Sequence, residues 1–213
     1  MLATVRDALL DAWAVLMPVE CAGCGADDRA ICANCLALLD PSVTPRTTAG
    51  GVTVFTALRY EREVRRLILA MKEQNRTDVA RALSRPLAAS VARGLTLGTA
   101  IEVVAVPASR AGYRRRGYDP VSLMLRHAGV RPARVLTAAR ATSVQKALGV
   151  AERASNVRGS LRARMPLDGR EFLLVDDVLT TGSTISEAAR AVREAGGTVL
   201  GAATLAFTPK LHG

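Results

Sequence analysis

The sequence predicts an α/β protein, a parallel sheet flanked by helices, with a small metal-binding module ahead of it. Three observations carry this prediction. From Gly51 onward, strand-like apolar runs alternate with stretches whose apolar residues recur at helical spacing, the pattern of a sheet with helices on its faces. One run, 172–175, has no polar break, as expected of a strand buried on both sides. All four cysteines stand as two C-x-x-C pairs before the alternation begins.

At the start of the chain, Leu2, Val5, Leu9, Trp13 and Leu16 make one apolar helical stripe, read as a helix packed on the rest of the protein. Asp7 and Asp11 on its polar face speak against a membrane-surface helix. Cys21, Cys24, Cys32 and Cys35 follow, with seven residues between the pairs. That spacing matches four thiolates around one tetrahedral Zn²⁺. Disulfides and a redox C-x-x-C are the alternatives; a cytoplasmic setting disfavours the first, and doubling of the motif disfavours the second. Four thiolates leave no open coordination position, so the zinc would be structural and would stabilise a module with little core of its own.

Residues 41–51 are rich in Pro, Thr and Gly and read as a linker, which places the module at 1–45 and the α/β domain at 46–213. Within that domain, 52–60, 102–106, 135–137 and 198–207 read as strands. Residues 63–71 form a helix ending near Lys72, and 78–92 a second with Pro86 as a possible irregularity. Asp119 caps a helix that begins at Pro120 and reaches Ala128. Residues 145–154 look helical and 156–167 irregular.

The segment that organises the chain follows the 172–175 run. It reads Asp176, Asp177, Val178, Leu179, Thr180, Thr181, Gly182, Ser183, Thr184, and then Ile185, Ala188, Ala189 and Val192 continue at helical spacing to Gly196-Gly197. The order is strand, acidic turn, hydroxyl- and glycine-rich loop, helix. Ligands of open α/β sheets bind beyond the carboxyl ends of the strands, and a helix N-terminus suits a phosphate. Gly182 lets the backbone approach closely, and four Thr/Ser hydroxyls can donate to phosphate oxygens. The carboxylates would repel a phosphate; they suit vicinal sugar hydroxyls, or a divalent cation held through water. The plainer alternative is that the acidic pair only caps the following helix. Capping does not require the whole ordered string.

Two further stretches carry candidate residues. Ala108, Ser109 and Arg110 occupy a second strand-end loop, where Arg110 can meet a pyrophosphate in bidentate fashion. Lys72 is a second candidate for that contact. Arg114, Arg115, Arg116 and Gly117, flanked by Tyr113 and Tyr118, have the composition of a mobile loop that closes over a polyphosphate or touches a nucleic-acid backbone. A solvated charged turn is the bland reading. Thr142, Gln145, Arg153 and Asn156 are polar residues with no chemistry that spacing assigns.

Bulk properties decide less. The formal charge is +10, which fits nucleic acid or phosphorylated ligands. All but three of the 29 basic residues are arginines, so compositional bias is an equal explanation. Aromatics are 3% of the chain, few for stacking bases. No segment is long and apolar enough to span a membrane, and the first 18 residues lack the basic start of a signal peptide. The expected location is the cytoplasm.

Taken together, the motifs resemble those of the ComF family, competence-associated proteins of type I phosphoribosyltransferase fold. The resemblance rests on the two C-x-x-C pairs, Met71-Lys72, the VPASR stretch 106–110, RRRGYDP, the spaced polar residues from Arg140 to Gly159, and LLVDDVLTTGST. It implies that Asp176 and Asp177 hold the ribose hydroxyls of 5-phosphoribosyl 1-pyrophosphate (PRPP) and that residues 180–184 hold its 5′-phosphate. It further implies that Ala108 to Arg110 meet the pyrophosphate, with Mg²⁺ as companion. Two departures stand out: Tyr118-Asp119-Pro120 replaces the usual Phe-Asn-Gln, and Glu73 stands where an aromatic is usual. Two functions follow from the resemblance. One is a phosphoribosyltransferase that releases pyrophosphate. The other is a non-catalytic nucleotide-binding adaptor in DNA uptake, working with a DNA helicase or single-stranded DNA.

Overall fold

The computed structural model describes residues 20–27, 29–139 and 159–209. The expected helices over 1–18 and 145–154, and Thr142, Gln145, Arg153 and Asn156, lie outside them. A short helix α1 (Ala33–Ala37) belongs to the cysteine module. Then come strands β1 (Thr44–Thr47) and β2 (Thr53–Arg59), helix α2 (Arg62–Glu73), a 3-10 turn (Thr77–Val79) and α3 (Ala80–Leu95). Next are β3 (Ile101–Ala105), α4 (Arg110–Arg116), α5 (Pro120–His127), β4 (Leu136–Ala138) and β5 (Leu161–Ala163). The chain continues through β6 (Glu171–Leu179), α6 (Ser183–Glu194) and β7 (Thr198–Phe207).

Five strands form a sheet in the order β1-β2-β7-β6-β3, parallel except where β1 pairs antiparallel with β2. β4 and β5 form a separate antiparallel hairpin. The central strands are buried on both faces, which is why 172–175 reads as a continuous apolar run. One face packs on Leu67, Ile68 and Met71 of α2, Leu83 and Leu87 of α3, and Met124 of α5. The other packs on Ile185, Ala188 and Val192 of α6 and on Leu136 and Leu161 of the hairpin.

Four sequence expectations need correction. Part of the stretch read as a linker is β1, and the expected boundary at 45/46 falls inside that strand; Thr44 to Thr47 satisfy their backbone groups against β2. The acidic pair lies within β6 rather than in a turn after it. β6 keeps pairing with β7 through Asp176↔Thr204 to Leu179↔Phe207, and a ladder partner outweighs the low strand propensity of Asp. The arginine cluster read as a mobile loop is helical: Ser109 Oγ accepts from Gly112 N at 3.1 Å to cap α4, and Gly117, at φ 76°, ends it in the left-handed conformation. Finally, the stretch read as irregular contains β5, held in part by its partner β4. Pro86 does not break α3, which runs through it.

Candidate functional site

Asp176 and Asp177 are neighbours in a strand, so they leave it on opposite faces. Asp177 shares its face with Val175, toward α2, and there Lys72 Nζ lies 2.8 Å from Asp177 Oδ2. The charges of Asp177 and Asp176 outweigh the burial that would lower the Lys72 amine, and hold it above its usual value. Asp176 stands in register with Thr204 of β7, which is itself in register with Thr56 of β2. These three form a polar row across the sheet. Among the described residues, neither buried threonine hydroxyl has a hydrogen-bond partner. Asp176 Oδ1 accepts from Asp177 N at 2.8 Å. Burial first, and then the neighbouring Asp177 charge, push its carboxyl up to about 7.

Beyond the strand end, α6 begins at Ser183 with Gly182 as its N-cap, and neither carboxylate of the acidic pair bonds to its first turn. The acidic pair therefore does not cap this helix, and the plainer alternative fails. Gly182 has φ 78°, and a Cβ there would stand 2.7 Å from Thr48 Cγ2. Only glycine fits. Thr48 sits in the turn joining β1 to β2, where its Oγ1 accepts from Val52 N at 3.2 Å. The stretch read as a linker thus buttresses the loop read as a phosphate cradle. Thr181 Oγ1 accepts from Ser183 N at 3.3 Å.

These elements surround an open cleft of about 1040 Å³ at the carboxyl ends of the strands. Of the expected residues, Lys72, Ala108, Ser109, Arg110, Arg114, Arg116, Asp176, Asp177, Thr180 and Thr184 line it. Thr181, Gly182, Ser183, Arg115 and Gly117 are not among its lining. The first three form the loop's backbone turn, and Arg115 is exposed on α4. Arg116 does more than line the wall: its guanidinium donates to Lys72 O at 3.3 Å, while Tyr118 Oη donates to Met71 O. The α4–α5 junction is thereby tied to the C-terminal turn of α2.

Sequence reasoning missed several lining residues. Tyr60 follows the end of β2, a strand-end position that could have been flagged. Asp119 was read only as a helix cap, which it is, accepting from Ser122 N at 2.7 Å. Its second oxygen accepts from Ala108 N at 3.1 Å, so one carboxylate fixes α5 and the 107–110 loop together. Ala138, Ala139, Ser160 and Leu161 arrive from the β4–β5 hairpin. That hairpin is clamped by α6: buried Glu187 accepts from Leu161 N at 3.0 Å, and Arg190 donates to Leu161 O at 2.9 Å. No local pattern announces this clamp.

The four cysteine sulfurs form a second cluster, all within 4.8 Å of one another. Cys24 and Cys32 Sγ are 3.7 Å apart. A Zn–S bond of about 2.3 Å implies tetrahedral S···S edges of about 3.8 Å, so the set fits structural zinc. Cys32 N donates to Cys21 Sγ at 3.3 Å, a contact that favours thiolate. All four thiols are free, which leaves the disulfide alternative without support. The cluster packs on α2: Arg66 donates to Gly23 O at 3.3 Å, and Arg76, held by Asp78, donates to Glu20 O and Ala30 O. Among the described residues, no helix is long and apolar enough to cross a membrane.

Comparison with known proteins agrees with this geometry. The phosphoribosyl transferase domain family matches residues 82–212. The DNA utilization protein YhgH of Escherichia coli (strain K12) is 33% identical over 143 residues, covering 63% of each chain. YhgH of Salmonella typhi is 30% identical over 132 residues, 58% of each chain. The chain thus matches less than two thirds of the length of these relatives. Orotate phosphoribosyltransferase of Xylella fastidiosa (strain M12) is 55% identical over 38 residues, 18% of this chain and 17% of that one. Among solved structures, the Mycobacterium tuberculosis H37Rv orotate phosphoribosyltransferase in complex with Fe(III) dicitrate is 20% identical. It covers 80% of this chain and 79% of that one at a TM-score of 0.35, too loose a likeness to argue from. A phosphoribosyl transferase domain, a DNA utilization relative and a four-cysteine cluster together bear out the ComF resemblance.

Proposed function

The chain belongs to the phosphoribosyl transferase domain family, and on that premise we propose that its cleft binds PRPP or a related ribose 5-phosphate. The observation that carries this reading is convergence. Asp176, Asp177, Thr180 and Thr184 from one stretch, the 107–110 loop from a second and Lys72 from a third line one cleft. On this reading the 5′-phosphate sits on the 180–184 loop at the N-terminus of α6, and Asp176 and Asp177 accept from the ribose hydroxyls. Arg110, Arg114 and Arg116 face the pyrophosphate. The same two carboxylates would hold Mg²⁺ through water, where it supplies charge neutralisation. Lys72, 2.8 Å from Asp177 Oδ2, orients that carboxylate.

The transfer step would break the bond between ribose C1 and pyrophosphate oxygen and form one from C1 to an acceptor nitrogen. The chain's part is positioning and charge stabilisation. The similarity to YhgH favours a second reading, in which the same cleft serves a DNA-uptake adaptor working with single-stranded DNA or a helicase and no transfer follows. A cysteine module that ends ahead of β1, and a structural zinc within it, belong to both.

Calorimetric titration of PRPP with Mg²⁺ into the wild type and an Asp176→Asn, Asp177→Asn variant tests the binding claim. Binding by the wild type and a loss of at least tenfold in the folded variant are expected. Equal affinity in the two would refute it. Pyrophosphate release on adding candidate bases then separates enzyme from adaptor.

A further inference from the structure

The cleft has two chemically unlike sides. Its acidic pair lies toward the end of β6, and in the strand order β1-β2-β7-β6-β3 the strand ends to either side of it differ. On one side β3 leads into the 107–110 loop and α4, which bring Arg110, Arg114 and Arg116 to the wall. On the other side, past β7, β2 leads into Tyr60. With neighbouring strands about 4.8 Å apart, β2 runs roughly 10 Å from β6. The fourth cation of the wall, Lys72, is paired with Asp177 at 2.8 Å. One side is therefore built for an anion, and the other offers a ring.

Among the described residues, Tyr60 is the one aromatic side chain in that lining. The other rings are committed elsewhere. Phe55, Phe172 and Phe207 are buried, Tyr118 Oη donates to Met71 O, and Tyr113 stands on α4 outside the cleft lining. Tyr60 is half-buried. Its backbone N–H donates to Phe207 O at 2.8 Å, and its side chain packs against the core on the α2 side of the sheet. A ring held by the core on one side and facing a ligand cleft on the other can serve as a stacking platform.

The chemistry of transfer says what would stack there. An acceptor that displaces pyrophosphate reaches ribose C1 from the side opposite the leaving group. With the arginines and the 107–110 loop on the β3 side, the acceptor side is that of β2. We propose that Tyr60 is the platform on which a planar heterocycle stacks, as a free base before transfer or as the base of a nucleoside 5′-monophosphate after it. The inference rests on the ribose-phosphate reading of the cleft and adds the class of its second ligand. That ligand is an aromatic heterocycle rather than ammonia or an alkyl amine, for which a ring in the wall has no use.

Calorimetric titration of ribose 5-phosphate, UMP and AMP into the full chain tests it. The wild type should bind at least one of the two nucleotides about fivefold or more tighter than ribose 5-phosphate, the increment of one stacked base. In Tyr60→Leu, which keeps an apolar contact with the core, the ratio of the two affinities should fall to about one. Tyr60→Phe, which keeps the ring, should retain it. A second readout needs no variant: the Tyr60 ring-proton resonances of the wild type should move upfield with the nucleotide and stay in place with ribose 5-phosphate. Unmoved ring resonances in a nucleotide complex, or an unchanged ratio in folded Tyr60→Leu, would overturn the proposal. Binding of ribose 5-phosphate with no gain from either base would overturn it and leave the cleft reading standing. Binding of none of the three would overturn both.

Discussion

The four sulfurs of the cysteine cluster come from residues 21–35, whereas the cleft collects side chains from Tyr60 to Thr184. The first is a local object: two knuckles place four ligands, and few apolar side chains of its own are buried, Cys21, Cys35 and Leu39 among them. The second is a product of the sheet. Its acidic pair is fixed by pairing of β6 to β7, its loop by the turn at Thr48, and its roof by the Glu187–Arg190 clamp. With so little core among the described residues, the cluster would depend on the zinc proposed for it, while the cleft keeps its shape by packing. The two meet at α2, which carries Arg66 against the cysteine module and Lys72 against Asp177.

The largest expected effect tests the first half of that contrast. Cys35→Ser, or removal of metal by a chelator, should cost about 3–5 kcal/mol, because metal binding and folding of such a module are coupled. Thermal unfolding with and without chelator measures it. An unchanged melting temperature would mean that the module is held by packing after all. Gly182→Ala probes the second half. A left-handed backbone costs a side chain about 1–2 kcal/mol, and the close approach of Thr48 adds strain. Urea unfolding should show a loss of about 2 kcal/mol, with weaker binding of ribose 5-phosphate.

Asp176→Asn sharpens the contrast through pH. The folded carboxyl titrates at about 7 against an ordinary value of 3.8, so the folded state holds the extra proton between those values. Its stabilising contribution is complete below about pH 4 and is lost as pH rises through 7. The Asn variant, neutral throughout, should therefore match the wild type at pH 4 and exceed it by about 2 kcal/mol at pH 8, within a ceiling of about 4 from the shift. Unfolding at the two pH values reads this directly. The smallest effect is expected for Arg66→Ala, which removes one bond to Gly23 O and should cost at most about 1 kcal/mol. If it also weakened ribose 5-phosphate binding, α2 would transmit between the two regions.

The same contrast explains what the sequence made legible. Cys21 to Cys35, and Asp176 to Thr184, are contiguous, so spacing alone singled them out as candidates. Strand β7 was placed at its observed ends because Thr198 follows Gly196-Gly197, which stops α6. Asp119 and Tyr60 were not recognised as cleft residues because their role depends on which strand ends lie side by side. The 113–117 stretch was misread because its arginines suggested a ligand loop, while a serine cap and a left-handed glycine made it a helix. β1 was hidden by Pro45 and two threonines. Pro45 is tolerated there because β1 is an edge strand.

The most direct test of the central claim is a titration of ribose 5-phosphate followed by ¹⁵N–¹H correlation spectra of the zinc-loaded protein. The account predicts the largest amide shifts at Thr180 to Ile185, with Asp176 and Asp177 moving alongside. Shifts elsewhere in the protein, with the 180–185 amides unmoved, would contradict it.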